Sequence, residues 1–233
     1  MERLDGYVSS RANITRRDAK IAIKRGRVAV DGAVERSPER KIDTETVSFD
    51  GRELPRSSFI YIVMNKPAGA LSASEDKRQT TVLDLLPEEL KRRGLFPVGR
   101  LDKDTTGLLI ITNDGAAAHR LLAPASHVDK VYEAELDGDP TEADAAAFAE
   151  GVALADFTAL PAKLEPLGGR RARVTLREGK FHQVKRMFAA RGLTVLALKR
   201  VAFGGVTLPP DLADGDSRPL TPAELASLGI DAQ

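Results

Sequence analysis

The longest unbroken run of aliphatic or aromatic side chains, Phe59 to Met64, has six residues. A membrane-spanning helix needs about 20, so none is expected. A short run stopped by Pro67 and Gly69 reads instead as a strand buried on both faces. Comparable segments recur as LLIIT at 108–112, VYEAEL at 131–136 and RRARVTLR at 170–177. The helical stretches between them do not fall at regular βαβ spacing. The pattern therefore predicts an α+β chain whose larger part is a mixed, mainly antiparallel sheet with flanking helices.

Two units are expected. In the first, residues 1–50, Thr15 with Asp18 caps a helix over Arg16–Lys24, with Ala19, Ile21 and Ala22 as its inner stripe and Gly26 as its stop. Val28 and Val30 then share one face of a short strand before an Asp31–Gly32 turn, and Thr46–Phe49 is the last strand before Asp50–Gly51. Residues 51–58, GRELPRSS, read as a linker, leaving 59–233 for the larger unit.

There, a helix is expected over Thr81–Leu86 and a second over Ala116–Leu122, capped by Asn113-Asp114-Gly115 and ended by Ala123-Pro124. Alternation puts Tyr132, Ala134 and Leu136 on one strand face, and Ala172, Val174 and Leu176 inward on another. Thr141 with Asp144 opens an alanine-rich helix, and Thr221 caps one over Pro222–Leu228. In HQVKRMFAARG, Val184, Met187 and Phe188 form an apolar stripe, while His182, Lys185, Arg186 and Ala189 share another face.

The formal net charge is only +1, but it hides a segregated layout. Arg11–Arg27 carries seven basic residues and one acid, and Arg177–Arg200 seven and one, whereas Glu133–Asp156 carries eight acids and no Lys or Arg. Two separated basic patches suit a polyanion that touches the chain in two places. With no cysteine, disulfides, thiolate catalysis and sulfur-ligated metal are excluded. The absence of cysteine is compatible with a reducing cytoplasm. The three histidines have no metal-ligand spacing, and neither GxGxxG nor GxxxxGK[ST] is present, so no metal and no nucleotide cofactor is expected.

The segment GRLDKDTTG sets Asp102 between Arg100 and Lys103 in a loop between core elements. A carboxylate beside a cation stays ionised and oriented, as a nucleophile or base must be. Locally the same segment can equally be a turn whose Asp102 and Asp104 cap backbone amides. A paired-carboxylate hydrolase is the weaker reading, because nothing sets a second acid across a substrate.

Taken together, MNKPAG (64–69), GRLDKDTTGLLIITNDG (99–115), KVYEAEL (130–136) and EGKFHQVKRMFAARG (178–192) resemble the ribosomal small-subunit pseudouridine synthase family, the RsuA type. RLDGYVSSRANITRRDAKIAIKRGRVAVDG (3–32) resembles the S4 RNA-binding domain that such enzymes carry in front. The resemblance implies that Asp102 is the nucleophile of a cofactor-free isomerisation: the uridine N1–C1′ bond breaks, the uracil turns, and C5 joins C1′. Whether the carboxylate attacks the sugar or acts through a glycal stays open. The resemblance further implies that Tyr132 packs against the base and helps take the C5 proton. Lys185 stands where many such enzymes have an arginine paired with the aspartate, with adjacent Arg186 as the alternative partner.

Leu176 is expected to wall the base pocket. Arg16, Arg17, Lys20, Lys24, Arg25, Arg100, His182 and Arg186 are expected to contact RNA. The implied substrate is 16S ribosomal RNA at position 516 in reference numbering, in a small-subunit assembly intermediate, acted on by a cytoplasmic monomer without membrane contact. A 23S site is the runner-up, and a noncatalytic ribosome-assembly protein is the competing reading from another class.

Overall fold

The computed structural model describes residues 1–92, 94–123 and 126–231. Contacts divide the chain into two compact units, one over residues 1–60 and one beginning at Tyr61.

The first unit runs β1 (Glu2–Arg3), α1 (Leu4–Arg11), α2 (Arg16–Lys24), β2 (Val28–Val30), β3 (Ala33–Val34), β4 (Lys41–Ile42), β5 (Val47–Phe49) and β6 (Arg52–Glu53). β1 pairs with β4, and the others form an antiparallel sheet in the order β3-β2-β5-β6. The Thr15 side chain accepts from the Asp18 amide, so α2 begins where the capping pattern put it. Its inner stripe differs by one position: Ala19, Ala22 and Ile23 are buried, while Ile21 is exposed. The helical turn angle of about 100° per residue places Ile23, not Ile21, on the face of Ala19. The expected linker is partly structured, since Arg52–Glu53 pair with β5 and Leu54 joins the core of Leu4, Val8, Ile23 and Val47.

The second unit contains β7 (Tyr61–Lys66), β8 (Phe96–Pro97), β9 (Thr106–Thr112), α3 (Gly115–Leu122), β10 (Lys130–Leu136), α4 (Glu142–Glu150), β11 (Lys163–Gly168), β12 (Arg171–Leu176), α5 (Gln183–Ala189), β13 (Val195–Phe203), β14 (Val206–Thr207), β15 (Ser217–Pro219) and α6 (Pro222–Ser227). Its nine-stranded sheet has the order β11-β12-β10-β13-β9-β7-β15, with β14 on β13 and β8 on β9. The fold is thus α+β, with a mixed, mainly antiparallel sheet. Among the described residues the sheet has one parallel junction, β13 with β9, which rests on two pairs, Lys199 with Thr106 and Arg200 with Gly107. Fully buried Arg200 reinforces it, its Nε donating to the Leu108 carbonyl at 2.7 Å.

The alternation in β10 and β12 buries Tyr132, Ala134, Leu136, Ala172, Val174 and Leu176, as the pattern implied. Residues 82–85 form turns, with Thr81 bridged to Leu71, rather than the expected helix. The Asp84 carboxylate accepts from both the amide and hydroxyl of Thr81, closing one turn, and Pro87 disfavours helical backbone at Leu86. Asp114 caps α3 and Ala123 closes it; Pro124, the other expected stop, lies outside the described residues. Capping boxes open α4 at Thr141 and α6 at Thr221.

Candidate active site

The loop between β8 and β9 carries Asp102 and is fastened from both sides. Ser72 Oγ donates to the Leu101 carbonyl at 2.9 Å and accepts from the Leu101 amide at 3.0 Å. Lys66, the last residue of β7, is completely buried and its Nζ donates to the carbonyls of Pro67 (3.0 Å), Lys103 (3.2 Å) and Thr105 (2.9 Å). Burial pushes its ammonium down to about 8, against a smaller opposing pull from Asp104 and Asp102. The Thr105 amide closes the loop on the Asp102 carbonyl at 3.1 Å. These bonds hold the backbone and leave the Asp102 carboxylate facing outward, its side chain 26% exposed.

Opposite stands the start of α5. The apolar stripe Val184, Met187 and Phe188 is buried, and Phe188 packs at 5.1 Å from Phe148 of α4. That fixes the helix with Lys185 toward the loop. Lys185 Nζ lies 3.4 Å from Asp102 Oδ2 and donates to Asp104 Oδ1 at 2.6 Å, which holds the Asp104 carboxyl below the usual range. His182, at the N-cap in left-handed backbone (φ 50°), brings Nε2 to 3.6 Å from Asp102 Oδ1.

A cavity of about 60 Å³ opens over this group, with Tyr132 and Leu176 from neighbouring strands, Arg100 and Thr105 among its walls. Asp102, Tyr132, Leu176, Lys185, His182 and Arg100, each expected at the site, all line this one cavity. Arg186 is elsewhere engaged: its guanidinium pairs with Asp156 and lies 5.1 Å from the centre of the Phe157 ring. Of the two candidate partners for Asp102, the geometry selects Lys185.

Three contributors were not legible in the sequence. Lys66 reaches two carbonyls of a loop distant in sequence as well as that of Pro67, Asp104 shares the Lys185 ammonium, and Thr105 lines the cavity with a buried hydroxyl that has no partner among the described residues. A cation at the end of a strand that opens with the apolar run YIVM was the available signal for Lys66.

In the first unit, Arg17, Lys24 and Arg25 are exposed on or beside α2. Arg16 and Lys20 instead lean on buried Asp5, at 2.8 and 3.8 Å, together with Arg3 at 2.8 Å. The Arg3 hydrogen bond, and then Arg16, hold that carboxyl well below the usual range. Among the described residues no cluster of His, Asp and Glu could hold a metal ion, and no helix is long and apolar enough to cross a membrane.

Residues 60–190, which include Arg100, Asp102, Tyr132, Leu176, His182 and Lys185 of this cavity, match the family model for RNA pseudouridylate synthase. The chain is 43% identical over 230 residues to the uncharacterized RNA pseudouridine synthase YtzG of Bacillus subtilis, covering 96% of each chain. It is 42% identical to ribosomal small subunit pseudouridine synthase A of Pseudomonas aeruginosa, covering 97% of this chain and 100% of that one. The protein of the same name in Escherichia coli strain K12 is 40% identical, with 97% and 99% covered. Among solved structures, one described as a pseudouridylate synthase superposes with a TM-score of 0.69 at 35% identity, over 98% of this chain and 100% of that one. With the matched segment holding the carboxylate, its lysine and the tyrosine-walled cavity, this chain belongs to the RNA pseudouridine synthase family, in its ribosomal small-subunit RsuA-type branch, and is an isomerase.

Proposed function

We propose that the enzyme converts one uridine of 16S ribosomal RNA, at position 516 in reference numbering, to pseudouridine, with Asp102 as the nucleophile. The observation that carries this reading is the ionised-pair geometry of Asp102 and Lys185, 3.4 Å apart at a cavity walled by Tyr132 and Leu176. Relatives named as ribosomal small subunit enzymes, at 40–42% identity over nearly the whole chain, support the choice of RNA.

A uridine in folded RNA must leave its stack for its glycosidic bond to reach a carboxylate so placed. The Lys185 ammonium, 3.4 Å away, holds the Asp102 carboxylate oriented. Cleavage leaves the N1–C1′ electron pair on the uracil; rotation then presents C5 to C1′, C5 loses its proton and N1 gains one, so no external reactant is consumed. Tyr132, buried with its ring on the cavity wall, packs against the base and helps receive the C5 proton. Arg100 and His182 hold flanking RNA, as does Arg186 outside the cavity. The first unit acts as an S4-like RNA-binding domain through α2. The working form is a cytoplasmic monomer on a small-subunit assembly intermediate, with no cofactor.

The test is site-by-site mapping of pseudouridine in 16S RNA, free and in assembly particles, with wild type and Asp102→Asn side by side. One new pseudouridine is expected with wild type and none with the variant, which still binds RNA. A product in 23S RNA keeps the chemistry and overturns the target; an active Asp102→Asn overturns the nucleophile.

A further inference from the structure

Phe181 is 75% exposed, the highest exposure of any large hydrophobic residue here outside the terminal Met1. It is nevertheless ordered by its surroundings. The His182 imidazole stacks on its ring, with centroids 3.8 Å apart and planes 18° from parallel. The chain on either side is braced: the Lys180 amide donates to Gln183 Oε1 at 3.0 Å, and Gln183 Nε2 donates to Glu178 Oε1 at 2.6 Å. Glu178 Oε1 also accepts from the Leu160 amide, and Lys180 Nζ is held 3.9 Å from the centre of the Phe157 ring. Left-handed backbone at His182 completes the presentation.

One face of the phenyl ring is thus taken by an imidazole whose Nε2 is 3.6 Å from Asp102, and the rest of the ring is open to solvent. Leaving a phenyl ring in water costs hydrophobic free energy that folding could have recovered. A rigid aromatic ring with one backed face and one open face is what an unstacked nucleobase needs. Extruding a uridine creates such a base, because its neighbour in the strand loses a stacking partner.

We infer that Phe181, backed by His182, is the stacking platform for the RNA base adjacent to the target uridine. The ring contacts RNA and leaves the bond chemistry to the Asp102 group; it makes extrusion less costly and sets the strand's register over the cavity. Since every base has a π-face, it selects position rather than base identity. This rests on the RNA isomerase activity of the cavity, whichever ribosomal RNA carries the target.

The experiment compares Phe181→Ala, Phe181→Leu and Phe181→Trp in the full chain, on the ribosomal RNA in which wild type forms its pseudouridine. Phe181→Ala is expected to lower single-turnover kcat/KM on the order of tenfold to a hundredfold, Phe181→Leu to stay low, and Phe181→Trp to recover most of the rate, with all three melting as wild type does. In the Asp102→Asn background, 2-aminopurine placed next to the target uridine is expected to stay quenched on binding and to brighten when Phe181 is also alanine. Equal rates and equal fluorescence for Phe and Ala overturn the platform, and so does full recovery by leucine, which would mean apolar packing without stacking. A misassigned RNA would move the product of every variant alike, so that error and an error about Phe181 give different results.

Discussion

Lys185 Nζ stands between two carboxylates, 2.6 Å from Asp104 Oδ1 and 3.4 Å from Asp102 Oδ2. The Asp104 side chain is 75% exposed and that of Asp102 only 26%. The shorter contact is therefore the better solvated one, and water offsets most of its contribution. Asp104→Asn is expected to change kcat by less than about fivefold, because the ammonium remains free to move onto Asp102. Lys185→Met is expected to lower kcat by about tenfold to a hundredfold, since a charge-assisted hold on a partly buried carboxylate disappears. Arg186→Gln removes the Asp156 and Phe157 interactions instead and is expected to raise KM while leaving kcat. Steady-state kinetics on the modified RNA separates the three. A kcat reduction in Arg186→Gln as large as in Lys185→Met would reverse the assignment of the partner.

Lys66 ties the catalytic loop to β7 through the Lys103 and Thr105 carbonyls, with Pro67 as its third acceptor, and, with burial pushing its ammonium down to about 8, titrates within reach of ordinary assays. Above that pH the amine keeps two protons for three acceptors, so the rate is expected to fall along an alkaline limb near pH 8. Stability moves the other way. The folded value lies below the unfolded one, so between about 8 and the ordinary lysine range the unfolded chain holds more protons, and this group's contribution rises with pH. A rate that drops while the melting point does not is the expected signature, read from parallel pH series. Lys66→Met should erase the alkaline limb and, by leaving three carbonyls without their donor, cost about 3 kcal/mol and lower Tm by roughly 10 °C.

Gly107 sits where the two halves of the sheet meet. Its φ is 98°, and a Cβ there would stand 2.3 Å from the Arg200 carbonyl oxygen and 2.9 Å from the Arg200 amide nitrogen. Both obstacles are backbone and cannot swing away. Gly107→Ala is expected to cost about 3 kcal/mol or more and to reduce activity through displacement of the Asp102 loop that leads into β9. Gly115, at the first turn of α3, has nothing within 4 Å of its virtual Cβ. Gly115→Ala is expected to be neutral or to stabilise by up to about 1 kcal/mol. Thermal unfolding of the two variants provides the comparison.

The strands were legible because burial on one face writes alternation directly into the chain, as in Lys130–Leu136 and Arg171–Leu176. Asp102 was legible because its loop and partners sit in four distinctive segments. What failed has a physical cause in each case. α1 carries buried Asp5 and a glycine, so its apolar pattern is weak, and only the Arg3, Arg16 and Lys20 contacts explain the acid. Lys185 and Arg186 are successive residues about 100° apart on a helix, and which one faces Asp102 depends on how Val184, Met187 and Phe188 seat that helix. Lys66 acts on a loop 37 and 39 residues away, a separation with no local signature.

The cationic helix α2 separates into two groups that sequence alone counts together. All five cations are exposed, but Arg16 and Lys20 are also shared with buried Asp5, whereas no ion pair of Arg17, Lys24 or Arg25 is found among the described residues. Replacing Arg17, Lys24 and Arg25 by serine is expected to weaken RNA binding and to flatten the slope of log affinity against log salt by about 2 to 3, at about 0.7–0.9 for each phosphate that is no longer neutralised. The melting behaviour should not change, because these side chains make no hydrogen bond or ion pair among the described residues. Arg16→Ser should do the opposite: a smaller change in salt slope, and a drop in stability as Asp5, buried and ionised, is deprived of the hydrogen bonds at 3.1 and 2.8 Å from that guanidinium. That drop has a pH sign. Asp5 is held below the ordinary carboxylate range, so its contribution is complete above that range and disappears as pH falls through the folded value. Arg16→Ser should therefore unfold the first unit at a higher pH than wild type on acid titration, followed by circular dichroism, while the serine triple variant keeps the wild-type acid transition. Equal acid transitions in all three proteins would mean that Arg16, like its neighbours, is free for RNA.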